Sequence, residues 1–377
     1  MSRRMLLVGG AGFIGTHLAR RLAREGHDVT VVDCLLSQVH GTHAKFSPEL
    51  RAVATCVKGD VRRPASLRPL LREHEVIYWL AAETGTGQSM YRVRRYTDSN
   101  LGALATLFDL LVKSRGAVER VVLASSRAIY GEGAYVCSSD GGVVPRARTG
   151  RHPVHGWNPG CPMCDGAVIP LATPEDSPAA AGSVYGWTKS GQEQILGLLT
   201  AATGVEGRVL RLQNVYGPGQ SLRNPYTGVL MTFCSRALAG DPLVLYEDGE
   251  ITRDFVHVDD VVAALAIAGV RGRLVEGAVN IGSGAPVTIR RAAETIRDAA
   301  GSPSKVVVGG QFRVGDVRHA VADIRRAGEA FGFRPTVEFT EGIHRLLAWV
   351  REQGPVRDRS AATAREMAAR GLLKTAP

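Results

Sequence analysis

A short apolar run near the start of the chain ends in closely spaced glycines and gives the sequence MLLVGGAGFIG over residues 5–15. Apolar residues then recur every fourth position, at Ile14, Leu18 and Leu22, which predicts a helix with one buried face. A second apolar run over 28–33 completes a strand–loop–helix–strand unit. Such units build parallel sheets that are covered by helices on both faces. This segment therefore constrains the chain to a doubly wound α/β fold.

The glycine spacing in this unit fits a phosphate-binding loop of the form G-x-x-G-x-x-G. Backbone without side chains can approach a pyrophosphate closely, and the start of the helix offers unpaired N–H groups. Asp33 ends the second strand, where a carboxylate binds ribose hydroxyls and repels a 2′-phosphate. We therefore predict a dinucleotide site that prefers NAD. Its predicted contacts in the loop are Gly9, Gly12, Phe13, Ile14 and Gly15.

The alternation of strands and helices continues through the first half of the chain. Strands are predicted over 52–59, 76–82, 118–126 and 207–212, and helices over 91–113 and 183–203. Parallel sheets bind ligands at the carboxyl ends of their strands. The predicted cofactor contacts at two of these ends are Asp60, Val61, Leu80, Ala81 and Ala82. Asn100, inside the first helix, either braces the cofactor site or bridges its helix to nearby backbone.

Tyr185 and Lys189 lie four positions apart on a predicted helix, so their side chains share one face. A neighbouring ammonium favours phenolate over phenol, which predicts a lowered pKa for Tyr185. Such a phenol can take the proton of a sugar hydroxyl while its hydride moves to a nicotinamide. Ser126, at the carboxyl end of a predicted strand, would hold the same oxygen. The Y-x-x-x-K spacing alone is weak evidence, since it occurs by chance in many helices.

Charge, apolar runs and cysteine content exclude several other classes. The formal net charge of +10 is spread along the chain without a dense basic run, which argues against nucleic-acid binding. No apolar run approaches the roughly 18 residues that span a bilayer, and no signal peptide precedes the first strand. We expect a cytoplasmic protein without a membrane partner. In that compartment the six cysteines are not expected to form disulfides.

A series of motifs resembles the extended short-chain dehydrogenases/reductases that act on nucleotide sugars. They occur in the family's order: GGAGFIG, Asp60-Val61, LAA, SSRAIYG, YGWTK, RLQNVYGPGQ, RDFVHVDDV and NIGSG. The resemblance runs from about residue 5 to 350. It implies a Rossmann NAD domain over 1–214, to which a segment near 257–268 returns, and a smaller α/β substrate domain over 215–350. It also implies a homodimer through helices 91–113 and 183–203, while the tail 351–377 has no assigned role.

The resemblance also carries roles to individual positions. Ser126, Tyr185 and Lys189 match the catalytic triad, with Tyr185 and Lys189 also touching the cofactor. The implied substrate contacts are Ser126, Arg127, Asn214, Arg253 and Arg318. Guanidinium groups suit the phosphates of a nucleotide. Arg127 either reaches a substituent of the substrate, such as a carboxylate, or packs against a loop.

The residues that follow Ser126 discriminate between reactions of this family. Dehydratases carry an Asp-Glu pair there, whereas this chain has Arg127 and Ala128. Neither side chain readily transfers a proton, and the motif lacks the cysteine of carbanion-type epimerases. A 4-epimerase that oxidises C4 transiently and returns the hydride to the opposite face needs only the triad and NAD. The alternatives are a 4-ketosugar reductase, a 4,6-dehydratase and a non-catalytic dinucleotide sensor, the last disfavoured by the complete triad.

An insertion over 131–178 separates Ser126 from Tyr185 and is rich in glycine and proline. A loop of this length needs a stabilising element, and Cys161 and Cys164 have the spacing of a metal knuckle. Cys137 supplies a third thiolate, and Asp140, His152 or His155 a fourth ligand. We predict a structural zinc held by Cys137, Asp140, Cys161 and Cys164. Thiols without metal, or a redox-labile pair, are the alternative.

Overall fold

The computed structural model describes residues 2–145, 147–222, 224, 228–271, 276–354 and 360–375, the last range without the side chains of 360 and 361. Its strands are β1 Arg4–Val8, β2 Asp28–Asp33, β3 Thr55–Lys58, β4 Val76–Trp79, β5 Arg120–Ser126, β6 Tyr135–Cys137, β7 Gly141–Val143, β8 Val168–Pro170, β9 Glu206–Leu212, β10 Asn214–Tyr216, β11 Leu243–Leu245, β12 Thr252–His257, β13 Ala278–Ile281, β14 Pro286–Thr288, β15 Val306–Val308, β16 Gln311–Arg313, β17 His319–Ala320 and β18 Leu373–Thr375.

The α-helices lie mainly between these strands. They are α1 Phe13–Arg24, α2 Ser37–His40, α3 Pro48–Arg51, α4 Pro64–Leu67, α5 Thr86–Ser89, α6 Val93–Tyr96, α7 Ala103–Lys113, α8 Val184–Thr203, α9 Val229–Ala239, α10 Val258–Val270, α11 Ile289–Ala300, α12 Arg325–Phe331, α13 Phe339–Glu352 and α14 Ser360–Ala368. Short 3₁₀ turns cover Leu70–Arg72 and Arg127–Tyr130, and a π-helical turn covers Thr97–Gly102. Within the described ranges, no helix is long and apolar enough to cross a membrane.

The central sheet has seven parallel strands among the described residues, in the order β13-β9-β5-β4-β1-β2-β3. This confirms the predicted doubly wound Rossmann-type fold. The strand order reverses between β1 and β4, and a crevice forms at such a reversal, beyond the carboxyl ends of the strands. The glycine loop follows β1 and Ser126 ends β5, so the fold itself brings them to one edge.

Each face of the sheet carries its own apolar core. Successive side chains of a strand point to opposite faces, and in β1 Met5 and Leu7 join one core while Leu6 and Val8 join the other. The first core includes helices α1 and α10, and the second includes α7 and α8. The strands are buried on both sides, which explains why they read as continuous apolar runs rather than as alternating patterns.

A second, smaller unit packs its own core around Tyr216, Phe255 and helices α9, α11 and α13. Its sheet joins β10, β12 and β14, with β17 also paired to β12. Three elements of the later sequence return to the first domain among the described residues, namely α10, β13 and α12, whose Ala327 lies in the first core. Helix α10 packs in the core that contains α1, and β13 adds an edge strand beside β9. The returning part is therefore longer than the predicted segment 257–268, because it also includes β13.

The insertion is folded rather than structureless. Strand β6 pairs antiparallel with both β7 and β8. Arg148 is buried and ties the insertion to the smaller unit, donating from Nη1 to Glu247 at 2.9 Å and from Nε to Glu132 at 3.1 Å. These ion pairs bury a large polar surface that sequence periodicity does not reveal.

Candidate active site

A cavity of about 1570 Å³ lies at the carboxyl edge of the central sheet and extends to the smaller unit. The glycine loop forms one end of it. Gly9 has φ of +78°, and a Cβ there would lie 2.6 Å from the Ala81 backbone. A Cβ on Gly15 would lie 2.5 Å from the Gly10 backbone. Glycine is required at both positions because backbone packs directly on backbone.

The loop leaves polar groups for a dinucleotide. Gly12 precedes α1 and has no side chain to cap it, so the N–H groups of the first turn, including those of Phe13 and Ile14, border the cavity. Asp33 is buried and accepts hydrogen bonds from the N–H of Ala11 at 3.1 Å and of Leu35 at 2.8 Å. This cradle fits the pyrophosphate and ribose of NAD.

The other predicted cofactor contacts lie along the same edge. Asp60, Val61, Leu80, Ala81 and Ala82 all line the cavity. Asp60 is already paired with Arg62, whose Nη2 donates at 2.6 Å. Hydrogen bonding from Arg62 lowers the pKa of Asp60.

Asn100 is placed differently from these residues. It is fully buried, its Nδ2 donates to Thr188 Oγ1 at 2.9 Å, and its Oδ1 accepts from the Glu83 N–H at 2.8 Å. It lies in the π-helical turn and outside the residues that line the cavity. Asn100 thus bridges its helix to the Glu83 backbone after β4 and to Thr188 on the helix that carries Tyr185, which fits the bridging alternative, and a direct contact of Asn100 with the cofactor stays a prediction.

The three predicted catalytic residues converge on the cavity wall. Ser126 ends β5, and its Oγ accepts from the Ala128 N–H at 3.1 Å. Ser183 caps α8 by accepting from the Gly186 N–H at 3.1 Å, which fixes the turn that presents Tyr185. Ser126 and Tyr185 both line the cavity. Lys189 lies one turn further along α8 and is buried behind them.

The predicted acidification of Tyr185 is not present in this structure. Burial raises the pKa of Tyr185, and the Ser126 hydroxyl opposes that rise only in part. The Lys189 ammonium donates to the Ala124 carbonyl oxygen at 2.8 Å, and burial lowers its own pKa to about 8. Desolvation, which the spacing of the two residues in the sequence does not reveal, is the dominant cause of the raised pKa of Tyr185.

The carboxylate of Glu193 favours the charged form of Lys189. Glu193 lies one helical turn beyond Lys189, and its charge raises the pKa of Lys189 against the effect of burial. Ser125 Oγ donates to Glu193, and Arg211 Nη2 donates to it at 2.8 Å. Sequence reasoning missed Glu193, although its i+4 spacing from Lys189 on the same helix was visible.

Three arginines face the part of the cavity next to Ser126. Arg127, Arg253 and Arg313 line it, together with the carboxylate of Asp316. Asp316 accepts from Arg253 Nη2 at 2.8 Å and from Arg313 Nη2 at 2.6 Å. Burial and the charge of Arg253 lower the pKa of Arg127 to about 10, so Arg127 stays charged at neutral pH.

Four of the five predicted substrate contacts lie in the cavity wall, namely Ser126, Arg127, Asn214 and Arg253. Arg318 does not, and this corrects its predicted position. It is buried and fully engaged elsewhere, with Nη1 donating to Glu247 at 2.9 Å and Nη2 to Asp248 at 2.8 Å. Arg313, the first arginine of the same RVGDVRH stretch, lines the cavity in its place.

Arg127 packs against a loop, which is one of its two predicted alternatives, and its contact with a substrate substituent stays a prediction. Its Nη2 donates to the Gly131 carbonyl oxygen at 2.7 Å, at the start of the insertion. It also lines the cavity beside Ser126. The insertion thus positions a cation at the substrate side of the site.

The metal-ligand cluster forms as a separate centre in the insertion. The side chains of Cys137, Asp140, Cys161 and Cys164 present ligand atoms that all lie within 4.8 Å of one another. His152 and His155 belong instead to a group with Asp165. Of the three candidates for a fourth ligand, the structure therefore brings Asp140 to the cysteines.

A parallel sheet with a glycine-loop dinucleotide cradle and a Ser-Tyr-Lys wall defines a nicotinamide-dependent oxidoreductase-type site. The model of the NAD dependent epimerase/dehydratase family matches residues 5–148 and 162–282, which is more than half of the chain. The chain belongs to this family.

Curated and solved relatives agree with that assignment. The dTDP-L-rhamnose 4-epimerase of Burkholderia thailandensis is 38% identical over 93% of this chain and 96% of its own. The UDP-glucose 4-epimerase structure from Thermotoga maritima, with UDP-glucose, superposes with a TM-score of 0.75 at 26% identity and covers 93% of this chain and 99% of that one. The Thermus thermophilus UDP-glucose 4-epimerase complex with NAD gives 0.71 at 26% identity over 92% and 99%.

We predict that Glu193→Gln shifts the alkaline limb of the pH–rate profile to lower pH. Glu193 raises the pKa of Lys189, so its neutralisation lets Lys189 lose its proton earlier as pH rises. Turnover that needs a charged Lys189 then fails sooner. The matched control is Glu119→Gln, which removes an exposed carboxylate paired with Arg3 outside the cavity. An unchanged limb in Glu193→Gln would contradict the coupling.

Proposed function

We propose that this protein is an NAD-dependent nucleoside-diphosphate-sugar 4-epimerase. The observation that carries the proposal is that Ser126 and Tyr185 line one cavity with the dinucleotide cradle and that Lys189 is buried one helical turn beyond Tyr185, with no carboxyl group at the two positions after Ser126. The relatives named above include 4-epimerases of dTDP- and UDP-sugars. A 4-epimerase needs a proton acceptor and a hydride carrier, but no further acid.

Each residue of the site has its own role in the proposed reaction. The first turn of α1 and Asp33 would hold the dinucleotide, which when bound would supply the hydride acceptor and donor for C4. Ser126 donates a hydrogen bond to the sugar oxygen. Tyr185 takes the proton of that hydroxyl and later gives it back. The buried charge of Lys189 stabilises the phenolate as it forms, because low local polarity strengthens the attraction between them.

The burial that raises the pKa of Tyr185 also suits a reversible proton carrier. Burial makes the phenolate form costly, so Tyr185 would hold its proton until a nearby positive charge stabilises the phenolate. Lys189 supplies one such charge, and an oxidised nicotinamide bound in the cradle would supply a second.

The residues around Ser126 fit the competing reactions less well. A 4,6-dehydratase needs an acid–base pair beside Ser126, where Arg127 and Ala128 stand. Asp316, a carboxylate near Arg127, is held ionised, because Arg313 and Arg253 lower its pKa despite its burial. A 4-ketosugar reductase would require added reduced cofactor, and a dinucleotide sensor would have no use for the complete triad.

The arginines indicate where the nucleotide sugar lies. Arg253 and Arg313, with Asn214 nearby in the wall, can contact the diphosphate, since guanidinium groups bind phosphate oxygens in pairs. This leaves the sugar between the arginines and Tyr185.

We predict that the purified protein inverts C4 of dTDP-L-rhamnose without added NAD, and that Tyr185→Phe lowers turnover at least about a hundredfold, the usual size of acid–base catalysis. NAD content should be unchanged. The assay is NMR of the C4 proton, with bound NAD measured after denaturation. Tyr78→Phe is the control, since it removes a buried phenol oxygen outside the cavity. Retained activity in Tyr185→Phe would refute its role, and a strict need for added NADH or NADPH would favour the reductase.

We infer further that the insertion binds a structural zinc through Cys137, Asp140, Cys161 and Cys164. Cys137 and Cys164 Sγ atoms lie 3.6 Å apart, and Asp140 Oδ2 lies 3.3 Å from Cys137 Sγ and 3.2 Å from Cys161 Sγ. Tetrahedral zinc with bonds of about 2.3 Å to sulfur separates its sulfurs by about 3.8 Å. Three thiolates and one carboxylate thus have nearly the required spacing.

Metal analysis tests this inference. We expect about one zinc per chain, and Cys161→Ser should remove it and lower the thermal stability. Cys56→Ser, which changes a cysteine outside the cluster, should keep the zinc. Wild-type protein purified without chelator but lacking stoichiometric zinc would contradict the site.

We propose a homodimer through helices α7 and α8. The two helices pack together and expose Val112 at 54%, Trp187 at 56% and Leu198 at 66%. Exposed apolar side chains on adjacent helices are typical of an interface, and a second copy presents the same surface by two-fold symmetry.

Sedimentation of Trp187→Asp measures the contribution of this surface. We expect wild-type dimer and predominantly monomeric variant, because a carboxylate cannot be buried there without a partner. Val154→Asp places the same charge at an exposed position in the insertion and should remain dimeric. A Trp187→Asp dimer as tight as wild type would locate the interface elsewhere.

A further inference from the structure

The C-terminal segment forms part of the substrate cavity. Helix α14 places Thr363, Ala364 and Met367 on the cavity wall, at positions that share one helical face. Arg365, on the opposite side of the helix, is exposed, whereas Met367 is buried, with only 4% of its surface exposed. The helix therefore turns a mostly apolar face toward the substrate.

Contacts to both domains hold this segment in place. Gly371, with φ of +69°, turns the chain from α14 into β18, which pairs antiparallel with β16, the strand that ends in Arg313. On the other side, the Arg370 guanidinium lies 4.4 Å from the ring centroid of Tyr91. The segment thus links the substrate unit to the NAD domain across the cavity.

Met367 lies next to helix α5, which forms a hydrogen bond with the backbone of Tyr185. A Cβ on Gly87 would lie 2.8 Å from Met367 Sδ, so the two residues are in contact. Two positions later, Ser89 Oγ accepts from the Tyr185 N–H at 3.0 Å. The apolar face of α14 therefore lies on the side of the cavity next to the first turn of α8, which carries Tyr185, whereas Arg253 and Arg313 lie around Asp316.

Sugar substituents differ in what such a wall can accept. A hexose presents hydroxyl groups on nearly every carbon, and burying a hydroxyl against methionine and alanine without a partner is unfavourable. A 6-deoxyhexose has one apolar substituent, the methyl group at C6. An apolar wall favours that methyl group over the hydroxymethyl group of an ordinary hexose.

We propose that Met367 and Ala364 form a contact surface for the C6 methyl group of a nucleoside-diphosphate 6-deoxyhexose. The proposal rests on the proposed function, and it extends it by naming the substrate class and the residues that select it. Selection by one methyl group in an apolar site is worth about tenfold or more.

Equilibrium binding of two probes tests the proposal without requiring turnover. dTDP-L-rhamnose and dTDP-L-mannose differ only in the hydroxyl group at C6. We expect the wild-type holoenzyme to bind dTDP-L-rhamnose about tenfold more tightly. Met367→Gln, similar in size but polar, should reduce this preference to less than about threefold. Ala362→Gln, which adds the same group to an exposed position of α14, should keep it.

Equal affinities of the wild-type protein for the two probes, or a full preference in folded Met367→Gln, would overturn the proposal. Ala364→Ser is a second variant, with a smaller change on the same wall, that should weaken the preference if Met367→Gln does not fold. Failure of the proposed function gives a different result. In that case neither sugar is epimerised, while the binding preference and its dependence on Met367 can still be measured.

Discussion

The site depends on a buried ammonium. Lys189 is almost inaccessible to solvent, and a buried charge is costly unless it is hydrogen-bonded and opposed by another charge. Two of the last three residues of β5 help to stabilise this charge, and the third lines the cavity. Ala124 accepts from Lys189 through its carbonyl, Ser125 donates to Glu193, and Ser126 reaches the cavity. Neighbouring side chains of a strand point to opposite faces. The end of β5 can therefore contact Glu193 through Ser125 and present Ser126 to the cavity.

Local backbone constraints made the fold and the cofactor cradle predictable from the sequence. Gly15 is needed because its Cβ would meet the Gly10 backbone within the same strand–loop–helix unit, and Gly9 because the chain turns there with φ of +78°. Such local requirements appear directly as glycine spacing. The acidity of Tyr185 was not predictable in this way. Its pKa follows from burial, which elements far apart in sequence create together. The spacing of Tyr185 and Lys189 gives their shared face but not their solvation.

The spacing of residues in the sequence also could not predict which arginine lines the cavity. Arg313 and Arg318 lie in one short stretch, and only their partners decide which of them faces the cavity. Arg318 is engaged by Asp248 from the smaller unit and by Asn158 from the insertion, at 2.7 and 3.0 Å. Neither partner is near in sequence. The C-terminal segment, which carried no recognisable motif, likewise gains its place through β-pairing with β16.

Charge balance explains why this end of the cavity suits a nucleoside diphosphate. Arg127, Arg253 and Arg313 face it against one carboxylate, Asp316. Burial lowers the pKa of both Arg127 and Arg253, and neighbouring guanidinium groups lower it further. An anion bound here would relieve this repulsion. Under the proposed function, the diphosphate of the substrate would supply that anion, and Ser126, Tyr185 and Lys189 would act on the sugar.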